Sequence, residues 1–478
     1  MYPRTSVSFR TGDTALQRLF DTAVRKCLNN LNMFGEDQVL VEGGGYEKIW
    51  LETQPMGGEM YAGHNMTAAM NNQLLFMRHQ RADGRLAGSI QGFPDGTVEA
   101  QFNKFQGFCF PWPALNMYYW IEEDRMYLDR LADCLERFDA YLWRVRDSDG
   151  DGVLESWCVY DTGEDNAVRY GDAPNYATED VPPQGSSVVP MASMDVTSFS
   201  YACRDTLAEI SRIRQDGREA EWRRAADAVA AVIRDKLWDE RRGACFDKDR
   251  HGCVIDVLCH NTLRCMYWGS ISQEMADRFV SEHLLAPEEF WTPLPLPSVS
   301  VSDPAFRNAV ENNWSGQCEG LTYQRAILAL ERYGYHKLVT VLGKKLMQAV
   351  IDGGYVFTQQ FDPFTGAPSC VSQLTKEPLP PDSDEPFQDA YGPTLLSVLE
   401  YIAHIWGVTM VRGQMWFSLG SGSAYAYEQV WGDHVYRIES DGKEARVLID
   451  GAEKHRSPCG IRLITDRAGH LLGRCDIE

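Results

Sequence analysis

Residues 222–237 read WRRAADAVAAVIRDKL, and their apolar residues recur at helical spacing. The intervals of three and four place these residues on one face, with the arginines and aspartates on the other. The apolar positions are Trp222, Ala226, Val229, Ile233 and Leu237. This pattern predicts an amphipathic helix that packs one face on a core and exposes the other to solvent.

The same periodicity occurs in further segments between residues 13 and 406, so that eleven helices are predicted. They cover residues 14–33, 60–80, 111–122, 125–146, 194–215, 219–238, 257–267, 273–284, 319–334, 336–351 and 388–405. The helices come in pairs joined alternately by tight turns and long loops. This order is typical of six helical hairpins closed into an (α/α)6 barrel, with one helix missed. The predicted fold is therefore mainly α.

Five long loops rich in glycine, proline and aromatic residues separate the predicted hairpins. They cover residues 41–58, 86–110, 147–192, 286–318 and 353–390. Loops of this length inside a compact domain are usually functional. In a barrel of hairpins they would meet at one end, and we expect the functional site there.

The pattern changes after Gly407, where short β-rich segments alternate with Gly and Asp turns. These segments are 415–418, 435–438, 445–449 and 461–464. We therefore predict two domains, a helical barrel over 1–408 and a small antiparallel β module over 409–478.

Composition excludes several classes of partner. The 478 residues carry a net charge of −22 and a pI near 4.9, whereas nucleic acids and anionic membranes are bound by basic surfaces. The sequence shows neither a signal peptide nor an apolar run of membrane-spanning length, so we expect a soluble, cytoplasmic protein. The 13 cysteines contain no Cys-x-x-Cys pair, and we interpret them as reduced and mostly buried.

The loop at 161–170 concentrates polar chemistry in a few residues. It contains Asp165 and Arg169, and Trp157, Tyr160 and Tyr170 flank it or end it. A carboxyl group beside a guanidinium, over an aromatic platform, suits proton transfer to a sugar oxygen. A solvated acidic loop with a paired arginine would have the same composition, so the rest of the chain must decide between them.

Four sequence motifs lie along the chain in a characteristic order. They read GGYEKIWLET at 44–53, TGEDNAVRY at 162–170, NWSGQCEGLTYQ at 313–324 and PFQDAYG at 386–392. In this order they resemble motifs of the trehalases and of the related processing α-glucosidases and mannosylglycerate hydrolases, glycoside hydrolase families 37 and 63. Members of these families are inverting enzymes on an (α/α)6 barrel. The resemblance covers about residues 40–405.

The resemblance implies roles for particular residues. Asp165 falls on the general acid of the family, and Arg169 falls on its sugar-binding arginine. Trp50 and Glu52 are similar to the element that binds the non-reducing sugar, with a glutamate in place of the family's aspartate. The implied reaction needs no organic cofactor, and the implied partner is a small carbohydrate.

The two later segments imply further candidates. Trp314 is placed to stack on a sugar ring, and Gln324 to hydrogen-bond it. Asp389 belongs to the element that precedes the last barrel helix and is a further substrate-binding candidate. Glu319 is either a catalytic carboxylate or an acid near a helix N-terminus, where a negative charge is favourable in any helix.

The sequence departs from the family pattern at the position of the general base. The family places a glutamate in a Glu-x-(Tyr/Phe)-Asp element, and this sequence has Gln359 there, in QQFDPFTG at 359–366. A glutamine side chain cannot take a proton from water. Three accounts follow: Gln359 is an inactivating substitution, another acid such as Glu319 or Glu52 replaces it, or the protein binds sugar without hydrolysing it.

Two further features leave alternatives open. His64 and His260 are candidates for proton transfer in a sugar isomerase or epimerase, or are buried histidines whose hydrogen bonds are satisfied within the protein.

The turn DSDGDG at 147–152 is a solvated Asp-Gly turn or a loose calcium site that also uses Glu155. We favour the solvated turn and predict no metal. The sequence indicates no oligomeric state.

Overall fold

The computed structural model describes residues 2–310, 314–375, 377–380 and 383–478. Twelve α-helices lie within this part of the chain. They are α1 (Thr14–Asn29), α2 (Gln54–Met60), α3 (Met66–Arg78), α4 (Pro111–Trp120), α5 (Arg125–Val145), α6 (Met194–Arg214), α7 (Glu219–Val232), α8 (Asn261–Trp268), α9 (Gln273–Phe279), α10 (Gly320–Arg332), α11 (His336–Asp352) and α12 (Gly392–Trp406). All eleven predicted helices are present. Helices α7 and α9 each continue into a π-helical turn, at Ile233–Leu237 and Val280–Leu284.

The helix that the pattern missed is α2, which reads QPMGGEM. Two glycines within seven residues give it low helix propensity. Packing explains both of them: a β-carbon at Gly57 would lie 2.7 Å from Leu396, and one at Gly58 would lie 2.7 Å from Asn72. The backbone of α2 therefore lies directly against its neighbours, where no larger residue fits.

The even-numbered helices contact one another in a cycle. Helix α2 contacts α4, and contacts continue from α4 to α6, α8, α10 and α12, which returns to α2. The odd-numbered helices pack on them: α3 on α2, α5 and α7 on α6, α9 on α8, α11 on α10, and α1 on α12. Side-chain caps fix several helix starts. Asp13 caps α1 and accepts hydrogen bonds from the amides of Ala15 and Leu16, each 3.0 Å long.

Twenty strands are present in the described residues. They are β1 (Thr5–Thr11), β2 (Leu31–Phe34), β3 (Asp37–Leu40), β4 (Ile49–Trp50), β5 (Ser89–Gly92), β6 (Val98–Gln101), β7 (Glu155–Ser156), β8 (Met191–Ala192), β9 (Trp238–Asp239), β10 (Ala244–Cys245), β11 (Cys318–Glu319), β12 (Gln360–Phe361), β13 (Val408–Val411), β14 (Gln414–Leu419), β15 (Tyr425–Trp431), β16 (His434–Ser440), β17 (Glu444–Ile449), β18 (Ala452–Pro458), β19 (Ile461–Thr465) and β20 (Leu471–Asp476). Most of the short strands from β4 to β12 lie within the long loops. Strands β9 and β10 instead lie between α7 and α8.

The C-terminal β-rich region contains two antiparallel sheets. One has the order β1-β15-β16-β17-β18 and the other β13-β14-β19-β20. Strand β1 comes from the N-terminus and pairs with β15 from Thr5 opposite Trp431 to Thr11 opposite Tyr425. The first strand of the chain therefore belongs to the sheet that the sequence assigned to residues 409–478 alone. The predicted boundary itself lies one residue inside β13.

No helix among the described residues is long and apolar enough to cross a membrane. Nine of the 13 cysteines are buried, which confirms the prediction that most of them are core residues. The apolar core is continuous from the helices into the β sheets.

Candidate active site

A cavity of about 440 Å³ lies where the long loops meet. Its lining residues are Glu42, Gly45, Tyr46, Glu47, Lys48, Trp50, Glu52, Gln91, Lys104, Gln106, Tyr160, Gly163, Asp165, Tyr176, Trp314, Leu321, Gln359 and Tyr391. All five predicted loops contribute residues to the cavity wall. The volume is within the usual range for small-molecule sites, about 300–1,000 Å³.

Asp165 faces this cavity from the loop at 161–170. Gln106 Nε2 donates to Asp165 Oδ1 across 3.3 Å, and the Trp314 amide donates to the Asp165 carbonyl across 3.1 Å. The chain turns sharply on either side of Asp165, because Gly163 and Asn166 have φ values of +77° and +59°. The turn connects the predicted acid to the loop that carries Trp314.

Glu52 lies under the same loop and also lines the cavity. Its carboxylate forms an ion pair with the buried Arg325. Burial raises the pKa of Glu52 to about 7, although Arg325 and Arg264 oppose the shift. Gly163 packs directly on this carboxylate, with no room for a β-carbon. The predicted sugar-binding acid is thus fixed next to the predicted general acid.

Glu42 is a cavity carboxylate that the sequence did not single out. It is 7 % exposed, and its Oε1 accepts a hydrogen bond of 3.0 Å from the Tyr391 hydroxyl. Burial raises the pKa of Glu42 well above its ordinary value, and the nearby Glu52 and Asp165 add to the shift. Glu42 precedes three glycines in the loop, and nothing in its local pattern distinguishes it from a solvated acid.

Gln359 also lines the cavity. Its Oε1 accepts a hydrogen bond of 3.0 Å from the Tyr46 hydroxyl, and its carbonyl accepts the Gly320 amide across 2.8 Å. The rings of Tyr46 and Tyr391 meet edge to face, with centroids 6.2 Å apart. Gln359 and Glu42 are therefore held by two tyrosines in contact with each other.

Lys104 brings positive charge into the cavity. It is 6 % exposed, and its Nζ lies about 5 Å from three ring centroids, 4.9 Å from Trp50 and 5.0 Å from both Tyr160 and Tyr176. Burial lowers the pKa of Lys104, whereas Asp165 acts in the opposite direction. Within the described part of the chain, Lys104 forms no hydrogen bond or ion pair, and it relies on cation–π contacts.

Four predicted site residues do not line the cavity: Glu319, Gln324, Asp389 and Arg169. Glu319 is fully buried opposite Gln360 in the β11–β12 pair, and burial raises its pKa well above the ordinary value. Gln324 is fully buried and donates to the Met60 sulfur across 3.3 Å. Asp389 accepts the Phe357 amide across 2.9 Å and forms an ion pair with Lys26. The last two contacts hold loops and helices in place and leave neither side chain facing the cavity.

Arg169 is likewise enclosed by protein. It is 4 % exposed and forms ion pairs with Glu164, Asp195 and Asp247, all of them buried. Burial alone would raise the pKa of Glu164, but Arg264 and Arg169 hold it well below its ordinary value. The guanidinium expected to bind sugar instead anchors the loop that presents Asp165, because three carboxylates occupy it.

The two histidines of the isomerase alternative lie in different places, and neither lines the cavity. His64 stacks on Tyr61 with ring centroids 5.3 Å apart, next to the β sheets, and burial lowers its pKa to about 4. His260 lies behind Trp314, with Nε2 3.2 Å from Glu164. An isomerase that uses both would need them on one substrate, and this arrangement does not provide that.

The amino-acid sequence matches a known protein family. Residues 61–376 match the sequence profile of the mannosylglycerate hydrolase MGH1-like glycoside hydrolase domain. The chain belongs to this family. It is accordingly a glycosidase, and the resemblance drawn from the sequence motifs is confirmed.

Solved structures share the fold of this MGH1-like glycosidase. The GH63 mannosylglycerate hydrolase from Thermus thermophilus, in complex with glucose, is 17 % identical over 80 % of this chain and 99 % of that chain, with a TM-score of 0.61. A sialidase matches 97 % of this chain and 42 % of its own, with 13 % identity and a TM-score of 0.68. Neutral trehalase Nth1 from Saccharomyces cerevisiae matches over 77 % and 73 %, with 14 % identity and a TM-score of 0.53.

The acidic turn of the MGH1-like glycosidase lies outside the cavity. Carboxylate oxygens of Asp147, Asp149 and Asp151 lie within 4.8 Å of one another. Asp147 and Asp149 accept backbone amides of the turn itself, from Gly152 and Asp151. Glu155, the fourth ligand of the calcium alternative, accepts instead from Ser148 and Trp157. Asn313, which opens the third motif, lies outside the described residues.

Proposed function

We propose that this glycosidase hydrolyses a small glycoside or oligosaccharide with inversion at the anomeric carbon, and that Asp165 is the general acid. The observation that carries the proposal is the common cavity of Asp165, Glu42 and Glu52. In inverting glycosidases, one carboxyl group protonates the leaving oxygen and a carboxylate about 6.5–9.5 Å away activates water. Several acids around one enclosed space support this type of reaction.

The aromatic lining suits a sugar ring. Trp50, Tyr160, Tyr176 and Trp314 all face the cavity, and the faces of such rings pack against the C–H groups of sugars. Glu52 and Gln106 provide hydrogen-bonding groups for hydroxyls. We also infer that the even-numbered helices form the inner wall of a closed (α/α)6 barrel, with the cavity at one end.

Gln359 favours a second candidate function. The family resemblance expects a glutamate at this position, and the Gln359 amide oxygen already accepts a hydrogen bond from Tyr46. A protein that binds sugar without hydrolysing it would have this arrangement. The intact Asp165 turn and the additional carboxylates favour hydrolysis over simple binding.

The test begins with a panel of nitrophenyl glycosides and glycosyl fluorides. Proton NMR of the first product identifies the anomer before mutarotation, and the proposal requires the anomer opposite to that of the substrate. A product with retained configuration rejects inversion. Calorimetric binding of a sugar without any release of product supports the binding protein instead.

A further inference from the structure

We propose that Glu42 is the general base that activates water in this glycosidase, in place of Gln359. The inference rests on the proposed inverting reaction and names the group that reaction lacks. It is supported by the arrangement of four residues, Glu42, Tyr391, Tyr46 and Gln359.

The backbone holds Glu42 firmly at the cavity wall. Its amide donates to the Lys48 carbonyl across 3.1 Å, and its carbonyl accepts the Gly392 amide across 2.5 Å. The next three residues are glycines 43, 44 and 45, with φ values of +74°, +62° and +94°. A β-carbon at Gly44 would lie 3.0 Å from Tyr391. This close approach brings Glu42 within reach of the Tyr391 hydroxyl.

The side chain of Glu42 has one oxygen bound and one available. Tyr391 donates to Oε1, and no hydrogen bond from the described residues reaches Oε2. A carboxylate oriented at one oxygen and open at the other can accept a proton from a water molecule in the cavity. The contact of Tyr391 with Tyr46, which binds Gln359, places this carboxylate in the part of the cavity where the family has its base.

The other acids around the cavity are less suitable. Glu52 is engaged by Arg325, and Asp165 is the acid. Glu319 does not line the cavity. Glu47 lines it, but its side chain is exposed, and no hydrogen bond or ion pair with the described residues orients it. Among the described cavity carboxylates, Glu42 alone is buried, oriented by a hydrogen bond and not paired with an arginine.

The step balances without any further reactant. The water oxygen forms a bond to the anomeric carbon while a water proton passes to Glu42. The bond from that carbon to the glycosidic oxygen breaks, and the leaving oxygen takes its proton from Asp165. Proton transfer from Glu42 to Asp165 through solvent then restores both groups.

Burial and the neighbouring charges set the pKa of Glu42, and with it the expected pH dependence of the reaction. Burial, Glu52 and Asp165 all raise the pKa of Glu42, whereas the Tyr391 hydrogen bond and Lys104 lower it. Because the base must be ionised, the rate rises with pH through the raised pKa of Glu42. Glu42→Gln removes this acidic limb from the pH profile of any residual activity.

The test separates base from acid by the leaving group. Fluoride needs little protonation to leave, whereas an alkyl aglycone needs it fully. On a glycosyl fluoride, Glu42→Gln is expected to lose at least about 100-fold in kcat, the usual worth of a general base, while Asp165→Asn loses less than tenfold. Azide should restore turnover to Glu42→Ala and yield a glycosyl azide of inverted configuration. Glu36→Gln, in an exposed turn outside the cavity, is the control and keeps the rate of the unaltered protein.

Other outcomes overturn the inference. Glu42→Gln with more than a third of the original rate on the fluoride, or Glu42→Ala that azide does not rescue, excludes Glu42 as the base. Calorimetric sugar binding and thermal melting of each variant ensure that a lost rate reflects chemistry and not unfolding. If the unaltered protein itself releases neither sugar nor fluoride, the proposed function fails and the inference fails with it. A hydrolysing protein with an active Glu42→Gln variant rejects the inference alone.

Discussion

Gly163 lies directly over the carboxylate of Glu52, and a β-carbon at position 163 would overlap it. The backbone at Gly163 is also left-handed, with a φ of +77°. The loop that presents Asp165 and the acid that is expected to bind sugar are therefore packed together through a residue with no side chain.

Gly163→Ala is expected to displace Glu52 and lower kcat/KM by about 100-fold, because a shift of about 1 Å in a positioned group has an effect of this size. Gly150 is a matched control. It has a φ of +72° with open space around it, so Gly150→Ala introduces the left-handed strain without the overlap. Gly150→Ala should lower only the free energy of unfolding, by about 1 kcal/mol. Equal activity of both variants contradicts the packing argument.

Asp165→Asn should leave the fold intact and lower turnover on alkyl glycosides by at least about two orders of magnitude, the usual contribution of a general acid. Substrates with good leaving groups need less protonation and should lose less. Steady-state kinetics on a series of leaving groups measures this dependence. Uniform loss across the series would remove Asp165 from the acid role.

Gln359→Glu distinguishes the accounts of the missing base. With Glu42 as the base, the new carboxylate is superfluous, and we expect a gain in kcat of less than tenfold. Glu319→Gln should leave kcat unchanged, because Glu319 does not reach the cavity. A gain of several orders of magnitude in Gln359→Glu would identify Gln359 as an inactivating substitution, and a large loss in Glu319→Gln would make Glu319 the base.

Arg325→Met should leave the Glu52 carboxyl group buried without its ion-pair partner. Breaking a buried pair in this way costs about 3–5 kcal/mol of unfolding free energy. The double variant Glu52→Gln with Arg325→Met should recover most of the loss. Urea denaturation at pH 8 and at pH 5 tests the mechanism, since protonation of Glu52 at the lower pH reduces the cost. Additive losses in the double variant would argue against a direct interaction.

The burial of Glu59 is expected to make the free energy of unfolding depend on pH. Burial raises its pKa to about 7 from an ordinary value of 4.5, with a further contribution from Glu400. The folded state therefore binds the proton more tightly, and this stabilisation is complete below pH 4.5 and is lost as the pH rises through 7. At about 1.4 kcal/mol per pKa unit, the loss amounts to about 3 kcal/mol.

Glu59→Gln keeps the shape of the side chain and removes the titration. Its stability should change less than that of the unaltered protein between pH 4.5 and pH 8, as measured by chemical denaturation at each pH. Glu36→Gln, in an exposed turn, is the control and should keep the original pH dependence. A parallel pH dependence in Glu59→Gln and the unaltered protein would exclude Glu59 as the source.

Helical periodicity predicted the long helices well, because each buries one face of a regular repeat. Helix α7 shows this, with Ala226 and Val229 buried and the charged residues outside. Helix α2 was missed because its glycines serve tertiary packing, which a local pattern does not reveal. Strand β1 was missed for a similar reason, since its partner lies at the other end of the chain.

Motif order selected five residues that line one cavity and four that do not. Asp165, Trp50, Glu52, Trp314 and Gln359 all line one cavity. Arg169 and Asp389 have suitable chemistry, but both form ion pairs with other side chains. The sequence does not show the direction of a side chain. Glu42 and Lys104 lie in loops without periodicity, and only the fold brings them to the cavity.

The pairing of β1 with β15 has a consequence for how the chain folds. The Thr11 hydroxyl donates to the Ala424 carbonyl, 413 residues further along the chain. Contacts between such distant segments form slowly, because the intervening chain must be ordered first. During synthesis, chains grow at about 5–20 residues per second, and the first strand waits for tens of seconds with an unpaired edge. The helices can begin to pack in that interval, but the sheet cannot be completed until its final strands have been made.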